Sequence, residues 1–139
     1  MDKQTILFLC THNAARSQMA EGFVNAQFSD RYIARSAGSE PTEVHPCAIE
    51  VMAAFSIDIS RQRAKSLSEL DDTPFDYVVT MCADAAKNCP IFPSGATYFH
   101  HPFDDPAVGA ESGPEQCAPF RYVRDRIGEW IEATFSHNP

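Results

Sequence analysis

The sequence predicts an α/β fold in which a four-stranded parallel sheet carries helices on both faces. Short apolar runs alternate with longer amphipathic stretches along the 139 residues, and this alternation is typical of parallel βαβ units. The first run, 6–10, is apolar without a break, as a strand buried on both faces requires. A chain of this length is expected to form a single domain, 1–139, with a core of ordinary size.

Four strands are predicted from these runs. The second ends at Gly38, and the third ends at Cys82 much as the first ends at Cys10. The fourth is short and follows the turn at 93–95. The predicted strands are 6–10, 31–37, 75–81 and 96–100.

Three helices are predicted from apolar side chains at a spacing of about 3.6 residues. They cover 17–28, a stretch that begins at 45–46, and 115–135. Pro46 and Pro119 each fall in a first helical turn, where the missing N–H costs nothing. The expected buried faces are Met19, Ala20, Phe23 and Val24 in the first helix, Val44, Ala48, Val51, Met52 and Phe55 in the second, and Phe120, Val123, Ile127, Trp130 and Ile131 in the last.

The remaining segments are expected to be connections. The polar stretch 58–72 has room for one helical turn, and 83–88 could form another before Cys89 and Pro90 close it. The segment 101–113 is rich in Asp, Pro and Gly, and loops of this length are usually functional or mobile.

Composition excludes several classes of function. The net charge of −8 argues against nucleic acid and against an anionic membrane as partners. No apolar run approaches the roughly 20 residues of a membrane span, and residues 1–5 show no signal-peptide pattern. The protein is therefore expected in the cytoplasm, and a monomer fits the absence of a second apolar face.

The cysteines point to free thiols. Their number is five, and an odd count in a cytoplasmic protein argues against a disulfide framework. No C-x2-C pair is present, so a structural zinc site is not expected, and no His-Glu-x-x-His spacing indicates another metal. Cys47 and Cys117 are interpreted as small buried or incidental thiols, with at most modest reactivity near predicted helix starts.

The most informative stretch joins the first strand to the first helix. Five residues separate Cys10 from Arg16, and such a loop can curl so that its backbone N–H groups point into one concavity. Together with the positive end of the helix dipole, this makes an anion site. Arg16 adds a planar fork that suits a tetrahedral oxyanion, and the same positive field favours the thiolate of Cys10. The loop is not of the Walker type, because it lacks Gly-Lys-Ser/Thr.

Three neighbours of Cys10 have predicted supporting roles. Ser17 can donate its hydroxyl to the thiolate, cap the helix, or do both. Asn13 tolerates the left-handed backbone of a tight loop, and its amide could pin that loop. His12 is interpreted as a residue that rigidifies the loop or faces solvent. Because ligands bind beyond the carboxyl ends of parallel strands, Cys82 is expected at the same edge of the sheet as Cys10.

A longer motif connects these residues to a known family. Residues 10–21 read Cys-Thr-His-Asn-Ala-Ala-Arg-Ser-Gln-Met-Ala-Glu, and further matches occur at Cys82, Cys89, 36–38, 58–60 and 103–107. The chain thereby resembles, over essentially its whole length, the thioredoxin-coupled arsenate reductases, which share the fold of the low-molecular-weight protein tyrosine phosphatases. The resemblance implies reduction of arsenate to arsenite, with thioredoxin as electron donor. No metal or other cofactor is expected from the residues of this chain.

The resemblance also implies a role for individual residues. Cys10 would attack arsenate, and Asp105 would protonate the leaving oxygen, with Asp104 as its rival for that role. Cys82 would then attack Cys10, and Cys89 would attack Cys82, leaving a Cys82–Cys89 disulfide for thioredoxin. The implied substrate-binding residues are Thr11, His12, Asn13, Ala14, Ala15, Arg16 and Ser17.

This relay makes a structural demand. A disulfide needs its Cα atoms within about 7 Å, whereas residues seven apart lie about 10 Å apart along a helix axis, which is the spacing of Cys82 and Cys89. Any helix between them must therefore unwind. Residues 83–88 include no large apolar side chain, which predicts a segment of low local stability.

One departure from the family pattern concerns a cation. Some relatives bind potassium beside the anion loop, with groups that would correspond to Asn13, Glu21, Ser36 and an acidic residue in the 60s. Lys65 stands where that carboxylate is expected. The hypothesis is that its ammonium replaces the cation next to Glu21.

Two other functions remain open. A low-molecular-weight phosphatase would use Cys10, Arg16 and Asp105 equally well, but it would leave Cys82 and Cys89 without a role. Residues 107–108 are Ala-Val, whereas phosphatases of this fold place aromatic side chains there. The other alternative is a non-enzymatic phosphate or redox sensor that signals through oxidation of Cys10.

Overall fold

A computed structural model describes residues 3–70, 74–83, 96–107 and 116–136. From the first strand to the third, strands and helices alternate as the sequence predicts. The strands are β1 (Gln4–Leu9), β2 (Tyr32–Ala37), β3 (Tyr77–Thr80) and β4 (Thr97–His100). The helices are α1 (Arg16–Gln27), α2 (Pro46–Ala53) and α3 (Ala118–Phe135), with a 3₁₀ turn at Leu67–Glu69.

The four strands form one parallel sheet in the order β2-β1-β3-β4, which confirms the predicted fold class. The first strand is central because its apolar run is buried on both faces. Ile6 and Phe8 belong to the larger core, which all three helices help to form, whereas Leu7 and Leu9 face a smaller core beside Leu70. Among the described helices, none combines the length and the apolar character that a membrane crossing needs.

Most predicted buried faces are confirmed, but Phe55 is an exception. The second helix ends at Ala53, and the ring of Phe55 is 45% exposed. The chain turns sharply at Ser56, which has φ 62°, so that Ile57 and Ile59 enter the core instead. The exposed ring is covered in part by the Arg124 guanidinium, whose carbon lies 3.8 Å from the ring centroid. This contact is a cation–π interaction between elements that are distant in sequence.

The prediction that Cys47 and Cys117 are unpaired thiols is wrong. The two sulfurs are joined in a disulfide with a Cα–Cα distance of 5.1 Å. Cys47 lies in the first turn of α2, and Cys117 is the N-cap residue of α3. These two helices pack against each other with their N-termini adjacent, a contact that the spacing of 70 residues does not reveal.

Gly22 allows α1 to approach the segment that carries Ile59. A Cβ atom at Gly22 would lie 2.6 Å from Ile59 Cγ2, and Ile59 is fully buried and cannot move aside. We therefore expect Gly22→Ala to lower the free energy of unfolding by about 1–3 kcal/mol through overpacking. Because alanine also gains about 1 kcal/mol in helix propensity, the net loss is expected to reach up to about 2 kcal/mol. Urea unfolding followed by circular dichroism measures the difference.

The control is the same substitution in an Ile59→Ala background, where Cγ2 is absent. There, Gly22→Ala should be neutral or stabilising. An equal loss in both backgrounds would contradict the close approach as the cause.

Candidate active site

The loop between β1 and α1 is held from outside by the segment 40–45, which we call the strap. Three backbone N–H groups of the strap donate to loop carbonyls: Glu40 to Thr11 (2.9 Å), Thr42 to His12 (3.1 Å) and His45 to Ala14 (2.9 Å). In a trans peptide the C=O and the next N–H point in opposite directions. Carbonyls that turn outward to the strap therefore turn the following amides into the loop. Within the described residues, the amides of 11–15 donate no backbone hydrogen bond, so they are available to an anion.

Asn13 organises the interior of this loop. It has a left-handed backbone (φ 50°) and is fully buried. Its Oδ1 accepts from the Lys65 amide at 2.8 Å and from Gln18 Nε2 at 2.9 Å. Its Nδ2 donates to Ser17 Oγ at 2.8 Å. These partners identify Oδ1 as the acceptor and Nδ2 as the donor of the side-chain amide. They agree with the expectation that the Asn13 side chain holds the loop in place.

The sulfur of Cys10 lies at the base of the loop and is almost fully buried. It is 2.7 Å from Ser17 Oγ. Because Asn13 Nδ2 already donates to that oxygen, the Ser17 hydroxyl hydrogen is available to the sulfur. A hydrogen bond in this direction stabilises the charged form of an acid, which is the thiolate that a nucleophile requires. No side-chain cap is formed at the α1 N-terminus, so the predicted capping role of Ser17 is not observed.

Gly38 makes the close packing beneath the loop possible. It follows β2, and a Cβ atom at this position would lie 2.5 Å from the Thr11 carbonyl oxygen and 2.7 Å from that of Cys10. Both are backbone atoms, which cannot yield as a side-chain terminus can. The second strand can therefore support the anion loop only with glycine at its end.

Arg16 begins α1 and connects the anion loop to the loop after β4. Its Nη1 donates to the Phe103 carbonyl at 3.2 Å, and its Nη2 lies 3.6 Å from Asp105 Oδ2. Asp105 also accepts from the Ala107 amide through Oδ1 at 3.0 Å. Asp104 faces a different cavity, which Trp130 also lines. Of the two candidate acids, Asp105 is thus the one beside Arg16 and Cys10.

The structure brings Cys82 to the same edge as Cys10. Met81 donates its amide to the Leu9 carbonyl at 2.8 Å, so the residues that follow them leave the sheet side by side. The Cys82 sulfur lies 3.3 Å from Thr11 Oγ1 and is partly exposed. Cys89 and the segment 84–95 lie outside the described residues, so the predicted helical turn and its low stability are not tested.

Two adjacent cavities open at this edge. One of about 380 Å³ contains Cys10, is partly lined by the strap and has mostly apolar walls. The other, of about 260 Å³, contains Cys82. His12, Arg16 and Asp105 line both. The His12 ring binds the Glu40 carbonyl through Nδ1 at 3.0 Å, and a carbonyl only accepts, so Nδ1 carries the hydrogen. This contact agrees with the interpretation that His12 rigidifies the loop.

Lys65 lies where the hypothesis of a replaced cation requires it. Its Nζ is 3.7 Å from Glu21 Oε1, which also accepts from Ser36 Oγ at 2.7 Å. Burial raises the pKa of the Glu21 carboxyl above its ordinary value, and Lys65 and Ser36 partly oppose that rise. Within the described part of the chain, no group of three His, Cys, Asp or Glu side chains could hold a metal ion.

Sequence reasoning missed the strap. The segment 40–46 has the loop signal Glu40-Pro41 and a helix-start signal at His45-Pro46, but neither indicates that its amides bind the anion loop. It also missed Gln18 as the partner of Asn13. A buried Gln next to an anion loop has no local pattern that distinguishes it from a surface residue of a helix.

Comparisons with known proteins agree with this geometry. The family model of the low molecular weight phosphotyrosine protein phosphatases matches residues 5–135. An arsenate reductase of Halalkalibacterium halodurans is 42% identical over 132 residues, which is 95% of each chain. The solved structure of an arsenate reductase in the phosphate-binding state superposes with a TM-score of 0.80 at 27% identity, covering 96% of this chain and 97% of that one. A thioredoxin-dependent arsenate reductase of Corynebacterium glutamicum has a TM-score of 0.69 at 30% identity, covering 94% of this chain and 61% of the other.

The contact between Lys65 and Glu21 predicts a pH-dependent effect of removing the lysine. The folded-state pKa of Glu21 is raised, so its contribution to stability is full below its unfolded pKa and is lost as the pH rises through the folded value. Lys65→Met removes the charge that limits this rise. We expect the substitution to cost more free energy of unfolding at pH 7 than at pH 4, as measured by urea unfolding at both values.

The matched control is Lys65→Met in a Glu21→Gln background. Without an ionisable group at position 21, the cost should be the same at both pH values. If the cost in the natural background is also independent of pH, the ammonium does not compensate the Glu21 charge.

Proposed function

Because the chain belongs to the low molecular weight phosphotyrosine protein phosphatase family and its curated relatives include arsenate reductases, we propose that it reduces arsenate to arsenite. The observation that carries this proposal is the second cysteine at the anion loop. A phosphatase needs Cys10, Arg16 and Asp105, but it has no use for Cys82. The Cys82 sulfur lies beside Thr11, at the edge of the anion loop, and is the thiol that can attack Cys10 and form a disulfide with it.

The first step is binding of the oxyanion by the loop. Arsenate and phosphate are both tetrahedral, and the inward amides of 12–15 with the α1 N-terminus provide donors that need no rearrangement. Arg16 supplies two parallel N–H groups to a pair of oxygens. The neighbouring Phe103 carbonyl and Asp105 side chain hold the guanidinium at the site before the substrate enters.

The second step is nucleophilic attack. The Cys10 thiolate forms a bond to arsenic as one arsenic–oxygen bond breaks. Asp105, which carries a proton at this stage, donates it to the departing hydroxyl of arsenate, which leaves as water, and Asp105 is left as the carboxylate beside Arg16. The product is arsenic(V) bound to the Cys10 sulfur, and the Ser17 hydroxyl that stabilised the thiolate is then released.

The third step transfers two electrons. The thiolate of Cys82 attacks the Cys10 sulfur, and the pair of electrons in the sulfur–arsenic bond remains on arsenic. Arsenic(V) becomes arsenic(III), which leaves as arsenite, and a Cys10–Cys82 disulfide forms. The Cys89 thiolate then attacks the Cys82 sulfur, which frees the Cys10 thiolate and leaves a Cys82–Cys89 disulfide.

The final disulfide must be reduced from outside the chain. We infer that a thioredoxin dithiol does this, because one structural relative is named a thioredoxin-dependent arsenate reductase and the relay ends on a pair of cysteines that can exchange with a dithiol. The proposal treats 1–139 as one domain that acts as a monomer in the cytoplasm, with no metal or other cofactor.

Phosphatase activity is the second candidate function. The cavity around Cys10, at about 380 Å³, exceeds what a tetrahedral oxyanion occupies, so an organic substituent has room beside the strap. Such an activity would stop at the cysteinyl phosphate and its hydrolysis. It would proceed without Cys82, Cys89 or a reductant.

The proposed general acid predicts a difference between two adjacent carboxylates. Asp105→Asn removes the proton donor beside Arg16, and we expect kcat for arsenate reduction to fall about 10²–10⁴-fold. Asp104→Asn is the matched control, because the Asp104 side chain lines the separate cavity beside Trp130. The kcat of this variant should change little. The measurement is NADPH consumption with thioredoxin and thioredoxin reductase. Equal losses in both variants would remove Asp105 from its proposed role.

The relay predicts a difference between two reactions of one variant. Cys89→Ser should abolish multiple turnovers of arsenate reduction with thioredoxin, because the chain then has no third thiol to attack the Cys10–Cys82 disulfide and regenerate Cys10. The same variant should hydrolyse a small aryl phosphate at the natural rate, since that reaction needs neither Cys82 nor Cys89. Mass spectrometry should find the trapped Cys10–Cys82 bond. Sustained arsenate turnover by the variant would exclude the three-cysteine relay.

A further inference from the structure

The Cys47–Cys117 disulfide has no part in the proposed relay, yet it is attached to the strap that shapes the anion loop. Cys47 follows the strap by two residues. Its amide donates to His45 Nδ1 at 3.0 Å, and the amide of His45 donates to the Ala14 carbonyl. The disulfide is therefore connected to a loop carbonyl through two hydrogen bonds and a two-residue stretch of chain.

Residues of α3 hold the same point from the other side. The ring of Phe120 lies 4.5 Å from the His45 ring, centroid to centroid, and Phe120 is fully buried. Cys117 precedes it by three residues at the N-cap of this helix. The chain just after the strap is thus attached to α3 in two ways, by the Cys47–Cys117 disulfide and by the contact between the His45 and Phe120 rings.

The cavity around Cys10 shows what this attachment positions. Val44, His45 and Pro46 line it together with Asp105 and Ala107. Beyond the disulfide, the described contacts that hold the strap to the loop are backbone hydrogen bonds, the His12–Glu40 contact and the His45–Phe120 packing. Loss of the covalent bond would leave the strap free to move relative to α3, and the outward carbonyls would lose part of their support.

We propose that the Cys47–Cys117 disulfide is a redox-sensitive clamp that positions the strap and so sets the affinity of the anion loop for tetrahedral oxyanions. In the disulfide state the loop amides are preorganised, so little conformational entropy is lost when an anion binds. In the dithiol state the strap and loop must be ordered when the anion binds. This inference goes beyond the proposed function and does not depend on it, because it concerns oxyanion binding and not arsenate reduction.

The chemistry of the clamp is thiol–disulfide exchange. Two thiols and one low-molecular-weight disulfide, such as oxidised glutathione, give the protein disulfide and two molecules of the small thiol, so electrons and protons balance. A dithiol reverses the reaction. Cys47 is buried whereas Cys117 is partly exposed, so exchange begins at the Cys117 sulfur. In reducing compartments, disulfides of this kind are usually transient or redox-sensing.

The test uses the full-length chain with Cys82→Ser and Cys89→Ser, so that no relay disulfide can form. Inorganic phosphate is the probe, and its Kd is measured by titration calorimetry on the oxidised protein and again after treatment with dithiothreitol. Mass spectrometry after alkylation assigns the state of Cys47 and Cys117. We expect the Kd to rise about 3- to 10-fold on reduction. The rise is modest because the groups that bind phosphate are unchanged and only their preorganisation is lost.

Two variants separate the clamp from other effects of the reductant. Cys47→Ser and Cys117→Ser should each bind phosphate as the reduced protein does and should not respond to dithiothreitol. Circular dichroism checks that each variant is folded. If one is not, the comparison of the same protein before and after reduction by dithiothreitol still tests the proposal. The proposal is overturned if the Kd is the same with the disulfide intact and cleaved. It is also overturned if no Cys47–Cys117 bond forms at any ratio of oxidised to reduced glutathione.

Discussion

The candidate site depends on one constraint, which is that the carbonyl oxygens of the anion loop are satisfied from outside. A buried carbonyl without a partner costs about as much as a lost hydrogen bond. The strap supplies partners to Thr11, His12 and Ala14, and Gln18 Nε2 supplies one to Asn13 at 3.0 Å. With these carbonyls fixed outward, the amides are fixed inward, and they face the place where negative charge must bind and react. Preorganised donors of this kind lower the barrier without reorganisation at the moment of reaction.

The same loop carries its own chain of polar contacts beneath the nucleophile. Lys65 and Gln18 hold Asn13, Asn13 holds Ser17, and Ser17 meets Cys10. Asn13, Ser17 and Gln18 are fully buried, and each has partners. A network in this condition gives a single geometry. The thiol is thereby placed by residues from the loop, the helix and the segment before the 3₁₀ turn.

Parallel topology then gathers the remaining groups. The carboxyl ends of β1, β3 and β4 face one edge, so Cys10, Cys82 and Asp105 meet although they are far apart in sequence. This edge could be predicted, because alternating strands and helices allow few other arrangements. The disulfide could not be predicted in the same way. The odd cysteine count argued against a structural disulfide, and the Cys47–Cys117 bond shows that this argument was wrong. Cys10 and Cys82 are free thiols, as predicted.

The sequence by itself determined the sheet, the helical faces, the anion loop with Cys10 and Arg16, and the edge at which Cys82 lies. All of these follow from local periodicity or from a motif within a dozen residues. Only the tertiary structure decided that the strap holds the loop, that Asp105 and not Asp104 lies beside Arg16, that Phe55 leaves the core and that Cys47 joins Cys117. Each of these depends on where two distant segments meet. Such contacts are set by the packing of whole helices and leave no periodic trace in either segment.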